Sequence, residues 1–423
     1  MKYRAETLDL LQNVAACSYL PLNRCRIDFT SHIDIRILQE SVMLSRRTLP
    51  LIGCGFEMGF FRSKWVELGF SEDDYLRILP AGNDAEAVIA ACFTEPMDLA
   101  REPHLRIDVV RSAQRDTLCI RISHLLCDGS GLKEYVALLS SLYTAIAAGM
   151  PLPEQCSYTR SVAPLLSRLS FLEKLRIPFP KQKENAYSAS IKREQLVLPP
   201  DKSTGPKAVH LLRKQIAGQQ WNRLRKYARE NGHTINDLLI AAFARSLSRA
   251  LCVETIPLPT PFDLRPWIAP GTPFGISNFG GSYMCHIRVR KGDNLADTVA
   301  QAALQMQRLK TDKYAAMPVL STGFYAAILP HALLHRFLLW CMPSHDFSLS
   351  NTGILAESMI DFAGLPVESA YMLAQFFTGG GLHVVASTWQ ECCTLTCNFI
   401  SSPERRAWNE QVVDAMVDEL SSV

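Results

Sequence analysis

Apolar and polar residues alternate along this chain with two different periods, and the change of period marks its elements. Between His104 and Arg111 the apolar positions Leu105, Ile107 and Val109 fall on every second residue. Ala113-Gln114-Arg115-Asp116 reads as a turn, after which Leu118, Ile120 and Ile122 alternate again. A period of two puts alternate side chains on one face of a strand, so this stretch predicts a β-hairpin. Past Asp128-Gly129-Ser130-Gly131 the period lengthens: Leu132, Val136, Leu139 and Tyr143 share one face of a helix. Ile33, Ile35, Leu38 and Val42 have helical spacing too, with Ser31 as the expected N-cap and Asp34 three residues on.

Pro151 to Pro206 interrupts both periods with eight prolines and reads as a linker, with one short helical piece around Leu165 to Leu175. Its basic residues Arg160, Arg168, Lys174, Arg176, Lys181 and Lys183 read as a solvated face, with CoA phosphates or an acidic carrier protein as the alternative partner. The boundary falls between about 185 and 207, giving an N-terminal lobe of residues 1–190 and a C-terminal lobe of 191–423.

The second half restarts with an extended segment and a helix from Gly218 to Asn231. Thr234 is the expected N-cap of a long apolar helix carrying Ile235, Leu238, Leu239, Ala242, Phe243 and Leu247, with Asp237 closing the cap. Ile256 to Arg265 reads as extended, Tyr283 to Arg290 as a strand and Leu295 to Leu309 as a helix. Leu382–Thr388 and Thr394–Ile400 read as two more strands. Pro403 sits at the favoured first position of the last helix. Helices and strands mix in both halves, which predicts an α/β fold with mixed sheets.

Composition narrows the function classes. The chain has 423 residues, enough for two or three domains of roughly 100–200 residues. It carries 44 Lys plus Arg against 41 Asp plus Glu, a net charge of +3, which makes no electrostatic case for nucleic acid. Lys2, Arg4, Glu6 and Asp9 interrupt any signal-like apolar run, so a cytoplasmic, reducing setting is expected. The best membrane candidate, Phe324 to Met342, contains His331, His335, Arg336 and an internal Pro330, and reads as a buried or half-buried helix rather than a span. The thirteen cysteines are scattered; Cys392, Cys393 and Cys397, with His383 on the preceding strand, match no zinc spacing and read as structural thiols.

His124, in Ser123-His124-Leu125-Leu126-Cys127-Asp128-Gly129, stands where the second hairpin strand ends and a helix begins. Such a turn exposes a side chain at a sheet edge beside helix N–H groups. With an ordinary pKa near 6.5, a histidine there can act as a base at neutral pH, as acyl transfer to an alcohol or amine requires. A satisfied core histidine, and an Asp-Gly pair that only caps a helix, are the plainer readings of the same residues. Gly129 would permit a backbone conformation or close approach that a side chain blocks.

His-x-x-x-Asp-Gly at the end of a hairpin resembles the signature of the superfamily of nonribosomal peptide condensation domains, alcohol acetyltransferases, plant-type BAHD acyltransferases, polyketide-associated acyltransferases and chloramphenicol acetyltransferase. Four later segments are similar and in the same order: His233-Thr234-Ile235-Asn236-Asp237, Phe262-Asp263-Leu264-Arg265-Pro266, Ser277-Asn278-Phe279-Gly280 and Leu349-Ser350-Asn351-Thr352-Gly353. The resemblance implies two chloramphenicol-acetyltransferase-like lobes with a solvent channel between them. His124 would be the general base, with no acyl-enzyme. Asp128 would be structural, with Arg265 as its partner. Acyl-CoA or an acyl carrier protein would donate to an alcohol or amine, with no permanently bound cofactor. The enzyme would be a monomer, because one chain supplies both channel walls. Ser123 replaces the histidine that many relatives carry, which favours a free-standing transferase over a condensation domain proper. The chain also lacks the Asp-Phe-Gly-Trp-Gly segment of plant enzymes.

Asn278 and Asn351 either orient the thioester or cap turns, and Ser350 is an oxyanion donor by similarity. His331 and His335, at i and i+4, read as a core or interface helix rather than a zinc site. His345-Asp346 and Gly379-Gly380-Gly381 read as turns.

Overall fold

In the computed structural model the described residues are all but 18, 154–158, 180–197, 199–206, 269–274, 312–314, 342–345 and 377–380. The linker boundary, Lys181, Lys183, His345, Gly379 and Gly380 therefore lie outside the described residues.

The fold is mixed α/β. The predicted hairpin is present as Leu105–Arg111 and Asp116–Ser123, antiparallel, with Ile107 opposite Ile120. These strands sit inside a five-stranded sheet in the order Val367–Leu373, Leu22–Phe29, Asp116–Ser123, Leu105–Arg111, Leu76–Pro80, and only the last pair is parallel. The sheet is not open to solvent on its polar face. All eight residues of Leu22–Phe29 and of Asp116–Ser123 are buried, because the helix Ala85–Thr94 lies over the charged side. Arg121 therefore meets Asp108 at 2.8 Å and Arg26 meets Asp28 at 2.9 Å, inside the protein. Alternation here records charge pairing beneath a helix, since buried ions persist only when paired.

A four-stranded sheet organises the second half, in the order Phe347–Leu355, Leu382–Trp389, Cys392–Ser401, Ala208–Ala217, with the first pair parallel. The long helix Ile235–Leu251 packs on it, and Thr234 and Asp237 form the expected capping box. A two-stranded ribbon, Thr255–Asp263 with Gly280–Arg288, packs Ile256, Leu258, Cys285 and Ile287 into this half's core and pairs Asp263 with Gly280. A small sheet of Lys2–Arg4, Lys64–Glu67 and Cys54–Glu57 completes the strands among the described residues.

The two halves are joined by more than the linker. Val367–Leu373 comes from the second half yet pairs antiparallel with Leu22–Phe29 of the first sheet. Leu334, Leu338, Phe362 and Met372 likewise enter the first core. Two local expectations change. The helix at 35 starts later than its pattern suggested: Asp34, not Ser31, is the N-cap of Ile35–Thr48 and accepts the N–H groups of Arg36 and Ile37. The Ser31 carbonyl is instead taken by the Asp116 N–H, which holds the chain extended there. The apolar stretch around Pro330 is two helices, Met317–Ile328 and His331–Cys341, and no described helix is long and apolar enough to cross a membrane.

Candidate active site

His124 is the first residue past the strand Asp116–Ser123, and the fold grips its backbone from both sides. Its N–H donates to the Pro21 carbonyl at 2.7 Å, and its carbonyl accepts from Asn278 Nδ2 at 2.8 Å. The ring is half-buried. Burial lowers its pKa below 6.5, against the opposing pull of its own carbonyl and of Asp128. The neutral imidazole therefore dominates at pH 7. Asn278 Nδ2 also stands 3.5 Å from His124 Nδ1, and a tautomer with the proton on Nδ1 would leave Nε2 as the acceptor.

Ser123 does not reach the same space. It is fully buried, and its Oγ accepts the Leu125 N–H at 3.2 Å, so it shapes the turn that presents His124.

Asp128 caps the helix Gly129–Ala147. Its Oδ1 accepts from the Gly131 N–H at 2.8 Å and from Arg265 Nη2 at 3.1 Å. Its Oδ2 accepts from the Phe279 N–H at 2.8 Å and from Arg265 Nη1 at 2.9 Å. Four donors are thus committed to one carboxylate, which acts on His124 only as a nearby charge. Arg265 also donates to the carbonyls of Gly275 (3.2 Å) and Ser277 (2.9 Å) and to Asp263 Oδ1 (3.0 Å). Burial works against the Arg265 charge, but Asp128 and Asp263 outweigh it and raise its pKa.

The motif loop is thereby fastened to the ribbon of the second half. Ser130 Oγ donates to Asp263 Oδ2 at 3.2 Å, and Lys133 Nζ donates to the Thr352 carbonyl at 2.7 Å. The segments at 123–131, 263–265, 275–280 and 350–353, scattered over 230 positions of sequence, meet around one helix N-terminus. Asn278 Oδ1 accepts from the Gly280 N–H at 3.3 Å and Asn351 Oδ1 from the Gly353 N–H at 2.9 Å, so each amide oxygen closes a turn. Ser350 lies half-buried on the strand Phe347–Leu355, next to Asn351.

Gly129 turns out to be the less constrained of the two motif glycines. A Cβ there would come no nearer than 3.4 Å to Thr352 Cγ2, ordinary contact. A Cβ at Gly131 would stand 2.6 Å from Cys127 Cβ and 2.7 Å from the Ser277 carbonyl, so position 131 has no room for a side chain.

Arg160 is not a solvated linker residue. Its Nη2 donates to Asp9 Oδ1 at 2.6 Å and to the Leu125 carbonyl at 3.0 Å, and its guanidinium lies over the Trp65 ring. It holds the motif loop from beneath, and no local signal in a proline-rich stretch points to that contact. Among the described residues no group of His, Cys, Asp and Glu could hold a metal, and the described cysteines are free thiols.

A histidine at a strand end, an aspartate locked to an arginine of the second half, and a strand returned from that half to the first sheet define a chloramphenicol-acetyltransferase-like fold. The chain belongs to the condensation-domain family, which its residues 75–321 match. Solved structures agree in fold. The first condensation domain of the calcium-dependent antibiotic synthetase, in complex with a substrate analogue, is 13% identical with a TM-score of 0.71, over 100% of this chain and 97% of that one. The epimerization domain from the third module of tyrocidine synthetase B is 13% identical with a TM-score of 0.68, over 100% and 96%. A starter condensation domain variant of rhizomide synthetase, in complex with C8-CoA and Leu-SNAC, is 14% identical with a TM-score of 0.65, over 100% and 95%. No curated protein matches the chain by sequence. Condensation domains as a family carry out acyl or peptidyl transfer.

Proposed function

We propose that the chain is an acyltransferase that moves an acyl group from a free CoA thioester to an alcohol or amine, with His124 as the general base. The observation that carries this is the state of His124: its backbone is clamped by Pro21 and Asn278, its ring is half-buried, and its pKa is lowered so that the imidazole is neutral. In the proposed step Nε2 takes the proton of the acceptor O–H or N–H as that atom attacks the thioester carbonyl. The tetrahedral intermediate collapses by breaking the C–S bond, and the leaving thiolate takes the proton back from the imidazolium. No acyl-enzyme forms.

Asp128 and Arg265 have positioning roles in this reading, and Asn278 holds the His124 backbone. Ser350 remains the candidate donor to the oxyanion. The free-CoA donor is supported by the rhizomide relative, whose structure contains C8-CoA. A donor on a carrier protein is the second reading, favoured by the family match itself.

The test is thiol release from acetyl-CoA and longer acyl-CoAs over a panel of alcohols and amines, comparing wild type with His124→Ala. A general base contributes roughly 10²–10⁴-fold, and the folded variant should lose that much. Turnover that survives in the variant would exclude His124 as the base. Wild type that is inactive with every free thioester, yet active with a carrier-bound one, would transfer the reading to the carrier donor.

A further inference from the structure

The helices Met317–Ile328 and His331–Cys341 carry an outward face that the fold leaves apolar. On the second helix Leu334 and Leu338 enter the core, while Ala332, Leu333, Leu339 and Trp340 are exposed, Trp340 to 78%. Phe324, Ala327 and Ile328 form the exposed side of the first. Two further segments extend the face. The Phe60 carbonyl accepts the His331 N–H at 2.8 Å, which places Phe60 (73% exposed) and Phe61 at one end. Tyr325 donates to the Pro178 carbonyl at 2.8 Å and its ring lies tilted against Phe337, which brings in Leu175 and Phe179 (79% exposed). Monomer surfaces rarely expose so many large apolar groups together.

The charges among them have one sign. Arg62, Lys174, Arg176 and Arg336 are exposed and none is in an ion pair among the described residues. No Asp or Glu occurs between positions 314 and 345, and the one carboxylate in the 159–179 stretch, Glu173, is buried and turned onto the N–H and hydroxyl of Ser170. Glu57, three residues before Phe60, is paired with Lys64 at 2.9 Å, and aromatic and aliphatic side chains with interspersed cations and no unpaired anion are the composition of a surface that lies in a membrane interface. A protein partner would match the cations only by bringing carboxylates, whereas anionic lipid supplies phosphates for all four and an apolar boundary for the five exposed rings Phe60, Phe61, Phe179, Phe324 and Trp340.

We infer that this face docks the protein on an anionic lipid bilayer, with Trp340, Phe179 and Phe60 entering the headgroup boundary and Arg62, Lys174, Arg176 and Arg336 meeting lipid phosphates. The inference stands on its own and holds whichever acyl donor His124 serves.

The test is co-sedimentation of the 423-residue chain with vesicles of phosphatidylcholine alone and of phosphatidylcholine with phosphatidylglycerol. Binding to the anionic vesicles is expected, with salt weakening it and phosphatidylcholine alone binding little. Each removed cation should weaken it about fivefold, so Arg336→Glu with Lys174→Glu should abolish most of it. Trp340→Ser should lose about tenfold while keeping the parent's circular dichroism and melting temperature, since the side chain is exposed. Trp340 fluorescence should shift to the blue on vesicle addition, a signal that Trp340→Phe removes. No binding to anionic vesicles by the folded monomer would overturn the inference. So would a concentration-dependent dimer that Trp340→Ser dissociates, because the face would then be an interface between copies.

Discussion

Asp128 offers the sharpest check on how the site is held. Asp128→Ala removes an N-cap, which typically costs about 1 kcal/mol, and it leaves Arg265 buried with one carboxylate partner fewer. Breaking a buried pair on one side costs about 3–5 kcal/mol. The two effects share the same oxygen atoms, so the expected loss is about 4 kcal/mol in urea unfolding followed by tryptophan fluorescence. Asn is as good an N-cap as Asp, yet Asp128→Asn should not restore the site. Each carboxylate oxygen accepts from one backbone N–H and one Arg265 nitrogen, so an amide NH₂ in either orientation faces two donors. The double variant Asp128→Ala/Arg265→Met should be more stable than the sum of the single losses predicts, by about 1–3 kcal/mol. Acyl transfer should fall in all three because the His124 loop loses its anchor. A loss under about 1 kcal/mol for Asp128→Ala, together with additive singles, would refute the assignment of the loop's stability to this pair.

Three other outcomes follow from the same geometry. Gly131→Ala should cost about 1–3 kcal/mol by melting, because Cys127 and the Ser277 carbonyl cannot both retreat, whereas Gly129→Ala should stay within about 0.5 kcal/mol. Burial holds the His104 pKa down at about 4. The unfolded chain therefore takes up that proton first, and stability should fall as the pH drops from 6.5 to about 4; His104→Phe should flatten that part of the urea-midpoint profile. Arg160→Met leaves Asp9 buried without its cation and the Leu125 carbonyl without a donor, so thermal melting should show a loss of about 3–5 kcal/mol, with activity falling in the protein that remains folded.

Apolar periods carried the hairpin and the motif helix, and cap residues carried the Thr234 capping box and the start of the last helix at Pro403, because each depends on neighbours within a few positions. Asp34 displaced Ser31 as a cap because the Ser31 carbonyl is engaged by Asp116, a contact 85 residues away that no local pattern contains. The buried charges of the first sheet were hidden for a similar reason. Alternating Arg and Asp look solvated until the helix Ala85–Thr94 is known to cover them. In the site, the residue types named the histidine and the aspartate, while their supports came from elsewhere: Arg160 from a proline-rich stretch, and the Ser277 carbonyl from a backbone atom that leaves no trace in a motif.

Those supports explain why the motif loop can stand so far from any single stretch of sequence and still be rigid. Asp128 is held by Arg265 and Phe279, Ser130 by Asp263, Lys133 by the Thr352 carbonyl and the Leu125 carbonyl by Arg160. Three of these four anchors come from the second half, and that half also returns Val367–Leu373 to the edge of the first sheet. Separating the halves would therefore break the sheet, the helix cap and the buried pair together. The loop and the seam between the halves are one cooperative unit, so a substitution on the ribbon side, at Asp263 or Arg265, should disturb His124 as strongly as one inside its own loop.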